Sequence, residues 1–364
     1  MTERVFNFSA GPATLPRSVM ERVKEELLDY QGMGASIIEI SHFTPEFMEI
    51  LERTESLLRD LMEVPSNYKV LFMHGGAQMQ FSMIPLNLMP LKPHGRALYV
   101  ESGIFAGRAI MEAGRYGEVR VAASSADTGF DRIPHLDPAA LDSEASYLHI
   151  TTNNTIMGTR YQSFPDTGDL PLIGDATSEI LSRKMDLNRF GMLYAGAQKN
   201  LGPSGMAVVI LREDLLGHAM AQTPKLLDYT RMAEDRSLTN TVNTFAIYVC
   251  SLVLEWVKSE GGVTEMEARN NAKSKLAYDL IDNTSNFYEA HALPEHRATQ
   301  NITFRLPSQE LTDRFVEEAL AANLYGVRGH KAVGGIRLSI YNAMPMEAVK
   351  ALGSFMEDFE KRNG

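Results

Sequence analysis

The stretch Leu193-Tyr194-Ala195-Gly196-Ala197-Gln198-Lys199-Asn200-Leu201-Gly202-Pro203-Ser204-Gly205 runs directly into the apolar segment Met206 to Leu211. Two apolar segments joined by a loop of small residues read as two strands, and the loop carries a lysine. That setting is poor for a solvated charge. Burial or neighbouring cations lower an amine's pKa and make it a nucleophile toward carbonyls, forming a Schiff base with a substrate or with pyridoxal phosphate. An ordinary solvated loop lysine is the alternative on this stretch alone.

A partner of the right kind stands 24 residues upstream: Asp175 ends the apolar step Pro171-Leu172-Ile173-Gly174-Asp175. In an α/β sheet, ligands collect at the carboxyl ends of the strands, so two such ends can face one cofactor. Pyridoxal phosphate needs an acid there to keep its pyridine nitrogen protonated. A helix N-cap after a strand is the plain alternative for Asp175.

The composition limits what surrounds this pair. With 364 residues, 44% hydrophobic and 22% charged, the chain reads as a soluble globular protein long enough for two domains. No window approaches a membrane span and Met1-Thr2-Glu3-Arg4 lacks a signal-peptide core, so a cytoplasmic location is expected. The single cysteine, Cys250, excludes an internal disulfide and a cysteine-rich metal site, and no metal is expected. A net charge of −11 argues against general binding to nucleic acid or an anionic membrane.

Along the chain, Phe6 to Pro16 reads as an extended arm broken by Gly and Pro rather than as a strand in a sheet. Two amphipathic helices follow, through Val19, Val23 and Leu27 and through Phe47, Leu51 and Leu58; between them Ile37 to Phe43 reads as a short strand delivering His42 to a loop. From Tyr68 the alternation of strands and helices predicts a mostly parallel sheet wrapped by helices. The turn His74-Gly75-Gly76-Ala77-Gln78 can offer backbone N–H groups to a phosphate, or it is an ordinary tight turn; it is too short for a P-loop. Later loops carry Phe105 and Thr155, able to meet a cofactor's ring and its phenolic oxygen, although a core Phe and a turn Thr are commoner fates. Gly261-Gly262 is the expected boundary between a large domain (17–262) and a small α/β unit (263–364, with the arm 1–16). In the small unit, the segment from Gly326 to Arg337 packs Arg328, His330, Lys331 and Arg337 together, a field suited to a small anion or simply a solvated basic loop.

These pieces together resemble the phosphoserine aminotransferases, pyridoxal-phosphate enzymes of fold type I and aminotransferase class V. The likeness is carried by Phe6 to Ala13, Val64 to Phe72, Tyr194 to Asn200, Arg212 to Gly217 and Ser339 to Pro345, in that order along the chain. The resemblance implies an α/β fold with a mostly parallel seven-stranded sheet and a smaller C-terminal α/β domain. It implies pyridoxal 5′-phosphate as cofactor and glutamate-dependent amination of 3-phosphohydroxypyruvate in serine biosynthesis, and leaves open whether 4-phosphohydroxythreonine of pyridoxine synthesis is also used. Residue by residue, Lys199 would be the Schiff-base lysine and Asp175 the partner of the pyridinium. Ala77, Gln78 and Gln198 would hold the cofactor phosphate, Phe105 its ring and Thr155 its ring oxygen. Asn240 and Thr241 would reach that phosphate across a homodimer interface with shared sites. His42, His330, Lys331 and Arg337 would bind substrate.

Two positions depart most from the family pattern. Ser41-His42-Phe43 stands where the family generally has Ser-His-Arg, and Gly329-His330-Lys331 where it has Gly-His-Arg. Arginine grips an oxyanion with a planar fork, lysine offers a point charge and phenylalanine nothing. Either another cation, with Arg160 and Arg328 as the candidates, fills the gap, or the acceptor is an unphosphorylated oxo acid such as glyoxylate or hydroxypyruvate. A non-enzymatic nucleotide-binding module built on the Gly-Gly turn is the outside alternative.

Overall fold

The apolar segments flanking the lysine loop pair with each other in an antiparallel ladder, Ala207 opposite Gly196 and Leu211 opposite Met192. In the computed structural model, which describes residues 4–284 and 286–364, this pair lies inside a seven-stranded sheet. Its strands are β2 (Tyr68–His74), β3 (Arg96–Glu101), β4 (Glu118–Ser124), β5 (Leu148–Thr151), β8 (Leu172–Asp175), β9 (Met192–Gly196) and β10 (Met206–Arg212). The order is β2-β10-β9-β8-β5-β3-β4, with β10 antiparallel to both neighbours and the other pairs parallel. Because β10 reverses between β2 and β9, the carboxyl ends of β2, β5, β8 and β9 and the start of β10 meet at one edge, where an α/β sheet receives its ligand.

Helices cover both faces, as the unbroken apolar strands require. Helices α1 (Arg17–Glu26), α2 (Pro45–Met62) and α6 (Thr244–Ser259) bury Val19, Phe47, Leu51, Ile247 and Leu254 on one side, together with Phe72, Val100 and Ile150 of the sheet. On the other side α3 (Ala77–Leu88), α4 (Ile104–Ala113) and α5 (Tyr229–Glu234) bury Phe81, Ala109 and Met232 against Leu71, Tyr99 and Val209. The outer strand β4 is the least buried of the sheet, while the other outer strand, β2, has the Phe72 N–H taken by the Ser237 hydroxyl at 2.9 Å.

Past Gly261, in the left-handed conformation (φ +103°), α7 (Gly262–Asp282) starts at once. It joins α8 (Gln309–Ala321), α9 (Met346–Asn363) and a three-stranded sheet of β11 (Glu289–Ala290), β12 (Asn301–Arg305) and β14 (Ile336–Ser339) around a third apolar cluster that includes Phe304, Phe315 and Phe359. The short pair β6 (Asn153–Asn154) and β7 (Thr159–Arg160) forms a hairpin beyond β5.

Two expectations from the sequence are corrected. The arm does enter a sheet: β1 (Phe6–Asn7) pairs in parallel with β13 (Leu324–Tyr325), and Phe8 is fully buried. The Gly and Pro that suggested a broken arm come only after Phe8, so the N–H groups of Phe6 and Phe8 are free to bond Asn323 and Tyr325 carbonyls at 2.9 and 2.8 Å. Ile37 to Phe43 is a run of turns, not a strand. The Ser36 hydroxyl accepts the Ile38 N–H and the Glu39 carboxylate accepts the Ser36 N–H, a local pattern that competes with a ladder. Accordingly Ile37 and Ile40, three apart, are buried, while Ile38 is 58% exposed.

Candidate active site

Lys199 sits in the tight turn between β9 and β10 and is only 7% exposed. The turn is held from several directions. The Ala197 N–H bonds Met206 O, the Gly202 N–H bonds Ala197 O, and the Ala13 N–H of the arm bonds Gln198 O, each at 2.8 Å. Asn200 donates to Ile180 O and accepts the Asn342 N–H. With the backbone so fixed, the lysine side chain enters a cavity of about 370 Å³ at the strand-end edge. Its Nζ donates to Thr155 Oγ1 at 2.6 Å and lies 5.8 Å from the centre of the Phe105 ring. Burial pulls the amine down to about 7; Asp175 opposes this and the charge of Arg337 adds to it.

Asp175, at the end of β8, lines the same cavity, as do Thr151, Asn153, Thr177 and Ser178. One carboxylate oxygen accepts the Thr177 N–H at 3.0 Å. Burial raises its pKa, which the Thr177 hydrogen bonds and Lys199 counteract. Behind it, Tyr194 of β9 is joined to His149 Nε2 at 3.0 Å, and His149 lies stacked on Tyr99. Burial lowers His149 to about 3, so this layer is neutral and adds no charge behind Asp175.

The third part is the start of α3. Gly76 caps the helix without a side-chain bond, so the first N–H groups, at Ala77 and Gln78, open toward the cavity those residues line. Gly196 is required for this approach: a Cβ there would stand 3.2 Å from the Ala77 nitrogen and 2.5 Å from Gln198 Oε1. Uncapped helix N–H groups, a buried lysine, and a buried acid across one cavity fit a cofactor with a phosphate at one end and a basic ring nitrogen at the other. From the C-terminal part of the chain His330 and Arg337 complete the lining, and the buried Nε of Arg337 has no hydrogen-bond partner among the described residues.

Of the residues singled out in the sequence, Lys199, Asp175, Ala77, Gln78, Phe105, Thr155, Gln198, His330 and Arg337 meet in this cavity. His42, Lys331, Asn240 and Thr241 do not line it. His42 is packed on the Phe43 ring, Lys331 and Thr241 are exposed, and Asn240 Oδ1 is buried without a partner among the described residues. Neither expected substitute cation is there. Arg160 bonds the Thr299 hydroxyl at 3.0 Å, 3.9 Å from the buried Glu179, and Arg328 is paired on the surface with Asp313 at 2.6 Å. The sequence reading missed Ala10 to Pro12, Thr151, Asn153, Thr177 and Ser178. The polar run Thr151-Thr152-Asn153-Asn154-Thr155 directly after an apolar strand was the available signal for some of them.

Similar proteins match this chain along its whole length. Residues 5–352 match the aminotransferase class-V family. The chain is 47% identical to the phosphoserine aminotransferase of Lysinibacillus sphaericus, over 100% of both chains, and 48% identical to that of Pseudomonas aeruginosa, again over 100% of both. Its fold superposes on the phosphoserine aminotransferase structure from Bacillus circulans subsp. alkalophilus with a TM-score of 0.96 at 45% identity, covering 100% of each chain. The alanine–glyoxylate aminotransferase of a Nostoc species, at 19% identity and a TM-score of 0.75, shares the fold. The chain therefore belongs to the class-V aminotransferases and, within them, to the phosphoserine aminotransferases.

Proposed function

We propose that this cleft moves the amino group of L-glutamate to 3-phosphohydroxypyruvate, giving 2-oxoglutarate and O-phospho-L-serine for serine biosynthesis, with pyridoxal 5′-phosphate as cofactor. The observation that carries the reading is the buried Lys199 amine facing Asp175 in a cavity floored by uncapped helix N–H groups. The N–H groups of Ala77 and Gln78, with Gln198, would hold the cofactor phosphate, Asp175 its ring nitrogen, Thr155 its ring oxygen and Phe105 its ring. When bound, the cofactor supplies an electron sink for the pair left when the substrate Cα gives up its proton.

The chain's own groups do the rest. Arg337, whose buried Nε lacks a partner among the described residues, receives the α-carboxylate shared by amino donor and oxo acceptor and so fixes Cα near Lys199. With its pKa lowered to about 7, the Nζ of Lys199 is part neutral at physiological pH, able to take the Cα proton of glutamate and to give one to Cα of the product. Thr155 Oγ1, accepting one Nζ hydrogen, orients the amine between transfers. Asp175, buried and acceptor to Thr177, holds a negative charge where a ring nitrogen needs to stay protonated.

The same reading includes a cytoplasmic homodimer with shared sites. Among the described residues no helix is long and apolar enough to cross a membrane. Leu28, Ile38 and Phe43 are 82%, 58% and 74% exposed, an unusual outlay of apolar surface that a second copy would cover. His42, Asn240 and Thr241, all outside the chain's own cavity, would then serve the neighbouring one. Mixing Lys199→Ala with Asn240→Ala/Thr241→Ala subunits should restore activity through heterodimers with one intact site; no recovery would count against shared sites.

The discriminating assay is coupled turnover with glutamate and either 3-phosphohydroxypyruvate or unphosphorylated hydroxypyruvate. A strong preference for the phosphorylated acceptor is expected. Preference for hydroxypyruvate or glyoxylate would move the assignment to an unphosphorylated oxo acid.

A further inference from the structure

With Phe43 in the place of the family's arginine and Arg160 and Arg328 engaged elsewhere, none of these three positions offers an arginine fork to the phosphate of the proposed acceptor. A different guanidinium lies over a ring that lines the cavity. Phe105 and Arg108 are three apart on the first turns of α4, which springs from the end of β3, so both project from one helix face. The Phe105 ring lines the cavity, and the Arg108 guanidinium carbon lies 5.2 Å from the centre of that ring. A guanidinium over an aromatic ring is oriented without having its donors used, and Arg108 is only part exposed.

Among the described residues Arg108 makes no ion pair and no side-chain hydrogen bond, its guanidinium lying against the Phe105 ring instead. The nearest acid on its own helix face, Glu112, one turn on, is taken by the Ser82 hydroxyl at 2.9 Å and by Arg115 at 3.1 Å. His330 lines the cavity, and the charges that bear on its imidazole are those of Arg337, Arg108 and Lys331, all cations with no carboxylate among them. Such a group is self-repelling until an anion enters, and a dianion suits it better than a single carboxylate.

We propose that Arg108, held over Phe105, is a specificity-determining residue that receives the phosphate of the acceptor substrate. Arg337 takes the carboxylate at the inner end, and Arg108 with His330 and Lys331 takes the phosphate at the mouth. This inference rests on the aminotransferase reading given above, and its test separates the two.

Arg108→Met, Arg108→Lys and the parent holoenzyme are compared by kcat/KM for 3-phosphohydroxypyruvate and for hydroxypyruvate at saturating glutamate, and by inhibition with inorganic phosphate. Methionine keeps an apolar cover on Phe105 while removing the charge, which separates packing from anion binding. Loss of one charge-assisted contact corresponds to a fall of roughly 10- to 100-fold. That fall is expected in Arg108→Met for the phosphorylated acceptor, chiefly through KM, with a change of less than about threefold for hydroxypyruvate and a matching rise in the inhibition constant of phosphate. Arg108→Lys should recover part of the loss, since it keeps the charge but not the fork. Equal losses on both acceptors, or no loss in Arg108→Met, would overturn the assignment of Arg108 while leaving the aminotransferase reading intact. A parent enzyme with no turnover of 3-phosphohydroxypyruvate would instead overturn the reading on which the assignment rests.

Discussion

Replacing Lys199 with methionine in the cofactor-free enzyme should stabilise the fold, by an amount that shrinks as the pH rises. The lysine amine falls from 10.5 to about 7 because folding removes it from water. Between those values the unfolded chain holds a proton that the folded chain has lost, so the unfolded state binds more protons and stability rises with pH. Below the folded pKa both states are protonated and the full penalty of burying the ammonium applies. At about 1.4 kcal/mol per pH unit, the parent should gain about 2–3 kcal/mol between pH ~7.5 and ~9.5 that Lys199→Met does not gain. Taking the difference between the two proteins cancels groups remote from the cavity. Urea unfolding of both apoenzymes at fixed protein concentration, across that pH range, measures the gap directly, with slopes compared to show that the unfolding transition is unchanged. A gap that stays constant with pH would mean that Lys199 titrates as an ordinary surface lysine, and the argument for a buried, part-neutral amine would fail.

Two further outcomes follow from the same geometry. Asp175→Asn should leave cofactor bound through its phosphate contacts while lowering kcat on the order of 100-fold, since a preorganised charge is lost where the ring nitrogen lies; single-turnover kinetics with glutamate would show it, and an unchanged rate would remove Asp175 from that role. Lys273→Met should destabilise the protein by roughly 2–4 kcal/mol, because Lys273 Nζ donates to the carbonyls of Ile340, Tyr341 and Met344 at 3.1, 2.7 and 3.0 Å, and without it the Ile340 and Met344 carbonyls lose this partner while Tyr341 O keeps the Met344 N–H; a urea midpoint equal to the parent's would contradict this.

Much of this molecule was legible from the sequence because its chemistry is local. The lysine loop, the strand ending in Asp175 and the Gly-Gly turn each lie at a strand end, and strand ends of one sheet converge by topology. The two misread segments failed where local pattern and tertiary pairing disagree: Phe6-Asn7 found a partner more than 300 residues away, and Ile37 to Phe43 spent its hydrogen bonds on Ser36 and Glu39. Substrate contacts were the least readable. Arg160 and Arg328 look as available as Arg108 in the sequence, and only the fold shows that the first two already have partners, Thr299 and Asp313, while Arg108 lies over a ring that lines the cavity.

The central claim, that Lys199 drives amino transfer from glutamate, is tested most directly by the half-reaction. The pyridoxal-phosphate-loaded enzyme is mixed with glutamate alone, 2-oxoglutarate is quantified, and 3-phosphohydroxypyruvate is then added. About one equivalent of 2-oxoglutarate per subunit, followed by one of phosphoserine, with neither formed by Lys199→Ala, is the predicted result. Release of 2-oxoglutarate at the parent rate by Lys199→Ala, or none from the parent, would contradict the account.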